Sequence, residues 1–150
     1  MSYEISTQLN EIVQYVVVRI GEEQYGIDIK NIDNIVRMQS ITRVPKVPAY
    51  LKGVINLRGE VIPVMSLRIK MDMDEDDITK DTRIIILKIN HDGIGLMVDS
   101  VKEVVSLNVA EIEKVSFENR EERNAFVQGI GKQGESLISL LDINAVLQEA

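Results

Sequence analysis

Short runs of valine and isoleucine, four to eight residues long and broken by glycine-bearing turns, recur along this chain and leave little room for anything but β-structure. Such β-branched side chains are stiff at χ1 and pack well on a pleated surface, which favours strands over helices. Four hairpins are expected. VQYVVVRI turns at Gly21 into QYGIDI, VINL turns at Arg58 and Gly59 into EVIPV, RIIILKI turns near Asp92 and Gly93 into IGLMV, and FVQGI turns near Gly134 into SLISLL. Short strands at this spacing imply small barrels or a sandwich.

The chain also repeats itself. Gly26, Ile27, Ile29, Ile32, Ile35 and Val36 match Gly95, Leu96, Val98, Val101, Val104 and Val105 at one constant offset, with polar residues mostly between them. Further on, Gly53 matches Gly129, and Val61, Ile62, Val64 and Met65 match Leu137, Ile138, Leu140 and Leu141, again at a single offset. One unit written twice predicts two similar β subdomains, at about 13–70 and about 82–142. KMDMDEDDITKD, residues 70–81, is too polar to form a strand and reads as the connecting loop. KVSFENREERN, residues 114–124, reads as an exposed excursion of the second subdomain. At the C-terminus Asp142 is a candidate N-cap for a short helix over about 143–149, with Ile143, Val146 and Leu147 on one face.

The 150 residues can bury roughly 68–70% of the surface their unfolded chain exposes, enough for one domain or two small ones packed together. Cysteine is absent, so there is neither a disulfide framework nor a thiol nucleophile nor a thiolate metal site, and a reducing cytoplasm fits best. The start, MSYEISTQLNEI, lacks the basic and apolar regions of a secretory signal, and no stretch reaches the roughly 18 apolar residues that span a bilayer. A net charge of −7 repels phosphate backbones and anionic lipid, so neither nucleic acid nor direct membrane insertion is expected.

The segment from Val44 to Leu67, VPKVPAYLKGVINLRGEVIPVMSL, carries the clearest message. Pro45 and Pro48 keep its entry extended, Gly59 accepts the positive φ of a tight turn, and Arg58 stands alone at the tip. Pro63 denies the second strand a donor and should lie at an edge, a bulge or an end. Its core, GVINLRGEVIPVMSLR from Gly53 to Arg68, resembles the GVxNLRGxxxPxxxLR core of the CheW-like family of chemotaxis coupling proteins. EEQYGIDIKNIDNIVRM (Glu22 to Met38) and DGIGLMVDSVKEVVSL (Asp92 to Leu107) resemble two further segments of that family in the expected order. The likeness runs from about Val13 to Leu147.

The resemblance implies two five-stranded SH3-like β-barrels sharing a hydrophobic contact, and a non-enzymatic adaptor between chemoreceptors and the histidine kinase CheA. It implies that the region around the Arg58 turn faces the cytoplasmic tip of the receptor, with Lys52, Gly53, Asn56 and Gly59 beside Arg58 and with Gly53 and Gly59 in structural roles. Val98, Val101 and Val105 resemble residues lining the family's receptor groove between the subdomains. Ile32, Asn34, Ile35 and Val36 fall in the family's surface for the regulatory domain of CheA, although the bland reading of the three apolar ones is core. Asn34 stands where some relatives carry a glutamate, which weakens the case for a charged kinase contact there. The implied location is the cytoplasm, with recruitment to membrane-associated receptor arrays.

Other chemistries find less support. Asp72, Asp74 and Asp76 alternate as the first ligands of a calcium loop do, but Asp77 stands where the sharp turn needs glycine and Arg83 where a bidentate glutamate belongs. No metal site or cofactor is expected. His91 is the single histidine; its turn setting, with Asn90, Asp92 and Gly93, suits chain reversal. The alternative to an adaptor is a small β-barrel hydrolase or isomerase using His91 with Asp92 or Asp99. GIGKQG, residues 129–134, lies between expected strands and reads as a hairpin turn, where a phosphate cradle would open a helix.

Overall fold

Backbone pairing turns each β-branched run into a strand. The computed structural model describes residues 11–116 and 125–148. Among these residues eleven strands follow one another: β1 (Ile12–Ile20), β2 (Glu23–Asp28), β3 (Ile32–Arg37), β4 (Leu51–Leu57), β5 (Glu60–Ser66), β6 (Arg83–Ile89), β7 (Asp92–Val98), β8 (Ser100–Asn108), β9 (Glu113–Lys114), β10 (Val127–Gln133) and β11 (Ser136–Leu141). Helices are short: α1 (Leu67–Lys70), α2 (Ile143–Leu147) and two 3-10 turns at Ile29–Asn31 and Val109–Glu111. The chain is therefore mainly β, as its composition implies. Most of the expected excursion at 114–124, and position 149 of the expected C-terminal helix, lie outside the described residues.

The four expected hairpins form, each through a two-residue turn. Arg58 (φ 54°) and Gly59 (φ 84°) are both left-handed, as are Asn90 (φ 51°) and His91 (φ 74°), the pattern of a type I′ turn. The third turn falls just before Asp92 and Gly93, which open β7. Asparagine adopts the left-handed region more readily than most residues because its short amide bonds locally. Pro63 lies in the middle of β5 opposite Val54 of β4, away from an end or bulge, but just outside the β5–β7 pairing, which begins at Val64, so no bond to β7 is asked of a residue without a donor. Asp142 caps α2 by accepting a bond from the Ala145 N–H at 3.2 Å.

The strands form a six-stranded sheet, β8-β1-β2-β11-β10-β9, and a five-stranded one, β3-β6-β7-β5-β4. Two compact units result. Among the described residues one gathers 11–18, 23–29, 102–116 and 125–148, the other 19–22 and 30–101. This corrects the expected division into 13–70 and 82–142. The repeat is real, but each copy's first hairpin joins the other copy's second: β2 runs parallel to β11, with Gly26 opposite Leu140, and β7 runs parallel to β5, with Gly95 opposite Val64.

The matched glycines mark those two junctions. A Cβ on Gly26 would lie 2.8 Å from Leu140 Cδ2, and one on Gly95 would lie 2.7 Å from Ile84 Cγ2 and 3.3 Å from Val64 Cγ2. Each unit has its own apolar core. Tyr15, Val17, Val105, Leu107, Ile138 and Leu140 fill the first; Ile55, Ile62, Val64, Ile84, Ile86 and Met97 fill the second. The pairs Tyr15/Val17, Ile62/Val64 and Ile84/Ile86 keep the period of two that points alternate side chains to one face.

Candidate interaction surfaces

Arg58 stands exposed at the β4–β5 tip, held by a turn with little freedom of its own. Its guanidinium makes no hydrogen bond or ion pair with the described residues, so five donors in a fixed fork face outward. Asn56, also exposed, accepts a bond from the Gly59 N–H at 3.2 Å, which closes the turn from the side and keeps the arginine aimed. Gly53 is buried and structural: at φ 143° a Cβ there would lie 2.2 Å from the Thr42 carbonyl oxygen. That carbonyl accepts from the Val54 N–H, and Thr42 N–H donates back to the Val54 carbonyl, both at 2.8 Å, so the glycine lets a second chain segment approach β4. Lys52, half-buried in β4, pairs with Glu75 of the acidic connector.

Asn34 and Arg58, assigned to different partners by the sequence, line one hollow of about 250 Å³ on the second unit. Leu57, Ile62 and Ile86 give it apolar walls, while Asp33, Glu60 and Lys88 add charge around Arg58. Sequence reasoning passed over Lys88, whose signal was a lone cation interrupting the apolar run of β6. In β3, burial alternates: Ile32, Asn34 and Val36 are half-buried, Asp33, Ile35 and Arg37 exposed. Ile35, 36% exposed, is thus the apolar residue of this strand that offers surface, whereas Val36 packs against the second core. Asn34 Oδ1 accepts a bond from the Ile35 N–H at 2.9 Å, beside a bulge in the β3–β6 ladder.

The second-copy set is corrected in part. Val98 is fully buried and Val105 belongs to the first core, so neither presents a contact surface; Val101 is half-buried. The physical reason is strand alternation. In β8, burial at Val105 and Leu107 leaves Val104, 52% exposed, and Ser106 on the open face.

Arg68, the last residue of the core motif, makes a two-pronged ion pair within the second unit. Its Nε donates to Asp99 Oδ1 at 2.8 Å and its Nη2 to Oδ2 at 2.5 Å, and the Gly21 N–H donates to Oδ2 at 2.8 Å. Arg68 holds the Asp99 carboxyl below the usual aspartate range, aided by the Gly21 N–H and opposed by partial burial. Asp99 is therefore occupied. His91 lies at the other end of β7, and eight residue steps at about 3.3 Å each put roughly 25 Å between them. The pairing of His91 with Asp99 is not assembled, and Asp92 beside His91 is exposed at the turn.

The connector is anchored through Ser66, whose Oγ donates to Asp76 Oδ2 at 2.5 Å while accepting from the Ile69 N–H at 3.1 Å. Burial pushes the Asp76 carboxyl up, and its Oδ1 is buried without a partner among the described residues.

Two small β units in which Arg68, Asp99, Ser66 and Asp76 are held in structural bonds, while Arg58 stands exposed on a rigid turn, form a scaffold suited to docking. The model of the CheW-like domain matches residues 14–150, and the chain belongs to that family. It is 36% identical to the chemotaxis protein CheW of Helicobacter pylori over 93% of this chain and 84% of that protein. It is 35% identical to the chemotaxis protein CheW of Bacillus subtilis over 89% of this chain and 86% of that one. The crystal structure of the scaffolding protein TtCheW from Thermoanaerobacter tengcongensis superposes with a TM-score of 0.83 at 34% identity, covering 93% of this chain and 90% of that one. These likenesses place the chain among chemotaxis scaffolds built from two SH3-like units. No helix among the described residues is long and apolar enough to cross a membrane.

Proposed function

We propose that the protein is a non-enzymatic adaptor that holds a chemoreceptor's cytoplasmic tip and the regulatory domain of the kinase CheA at once. Ligand state at the receptor then biases kinase activity through a shared rigid body. The observation that carries this reading is Arg58: a guanidinium free of partners among the described residues, on a rigid two-residue turn, suits a carboxylate or carbonyls of another protein. Asn56 and Lys52 extend the receptor side. On the kinase side Ile35 supplies the apolar anchor, with Ile32, Asn34 and Val36 beneath it. The adaptor works in the cytoplasm and is recruited to membrane-associated receptor arrays.

The test compares wild type with Arg58→Ala against a purified receptor-tip fragment and the CheA regulatory domain. Loss of a charge-assisted contact predicts receptor binding weaker by about tenfold, with kinase binding and thermal unfolding unchanged. Equal retention of the receptor tip by both proteins overturns the role of Arg58.

A further inference from the structure

On the second unit, the segment before β4 folds beside the acidic connector and leaves a hollow of about 320 Å³. Val44, Val47, Pro48 and Leu51 make its walls apolar, and Arg43 and Lys52 make its rim cationic. One carboxylate already lies on it, that of Glu75, which accepts a bond from Lys52 Nζ. Glu75 is aimed there because its neighbour Asp76 is bound to Ser66 and the Met73 N–H donates to the Arg68 carbonyl at 2.8 Å. Its own side chain remains 68% exposed, so water reaches it and leaving costs little burial.

A hollow with apolar side chains in its walls and a cationic rim, covered by an exposed acid of the same chain, is complementary to an acidic segment of another protein. We propose that Glu75 is an internal stand-in for a partner carboxylate: the connector shields Lys52, and an acidic segment of the receptor tip displaces it to reach the hollow. The proposal rests on the adaptor reading, to which it adds the chemistry of the receptor contact and a restraint on it. Residues 71–81 would then act as a built-in competitor that lowers receptor affinity without entering either core.

The experiment measures receptor-tip affinity for wild type, Glu75→Gln, Lys52→Gln and the double variant, alongside the rate at which an amine-reactive ester labels Lys52, read by mass spectrometry. Glu75→Gln should bind the tip about two- to fivefold tighter and label faster. Lys52→Gln should bind more weakly, and Glu75→Gln should add nothing in that background. Unchanged or weaker tip binding by Glu75→Gln overturns the competitor, whatever Lys52→Gln does. If wild type binds neither the receptor tip nor the kinase domain, the adaptor reading falls instead, and the labelling rate decides the shield: no increase in Glu75→Gln overturns it.

Discussion

Removing Asp99 should loosen, within the second unit, the hold on the turn that precedes β2, because three donors converge on this one carboxylate: Arg68 Nε, Arg68 Nη2 and the Gly21 N–H. At 2.8 Å and an effective dielectric of about 20, the Coulomb attraction of the ion pair alone is roughly 6 kcal/mol before desolvation. Most of that is lost in taking the two groups partly out of water; with side chains 18% and 27% exposed, a net coupling of about 1–2 kcal/mol remains. Asp99→Ala, which also strips the Gly21 N–H of its acceptor, should cost about 2–3 kcal/mol. The assay is urea unfolding of wild type, Asp99→Ala, Arg68→Ala and the double variant, closed as a thermodynamic cycle. The pH dependence has a definite sign. Asp99 is more acidic folded than unfolded, so its contribution is present above the ordinary aspartate pKa of about 3.8 and lost as pH falls through the lower folded value. A cycle whose coupling is under about 0.3 kcal/mol, or one that grows as the solution is acidified below pH 3, refutes the account.

His91→Gly should stabilise the protein by about 0.5–1 kcal/mol in the same assay, since it converts the second left-handed position of a type I′ turn to the residue that suits it, and it should leave receptor–kinase coupling intact. Loss of coupling in that variant would revive the enzymatic reading. Gly53→Ala should cost about 3–5 kcal/mol, because its Cβ and the Thr42 carbonyl cannot both stay and two backbone bonds depend on that approach; near-wild-type unfolding would contradict it. Asp76→Asn should raise stability at neutral pH by removing a charge that burial disfavours. The wild-type aspartate, less acidic folded than unfolded, favours the fold below its unfolded pKa and loses that advantage as pH rises through the folded value, so the variant's gain should vanish in acid.

Hairpins are local objects, and the residues that set them lie within reach of one another: the alternation of Ile62 and Val64, the left-handed Arg58–Gly59 pair, the Asp142 cap. Strand positions, turns, the internal repeat and the family motif could therefore all be read from the chain alone. The pairing of hairpins could not. Closing a longer loop costs only slightly more entropy than closing a shorter one, so nothing nearby in sequence announces that β2 joins β11 or that β7 joins β5. The same non-locality hid the partners of Lys52 and Arg68, which lie on Glu75 and Asp99. It also decided that Val98 and Val105 face inward while Ile35 and Val104 face out. Alternation tells which residues share a face; only packing against the rest of the chain tells which face meets water.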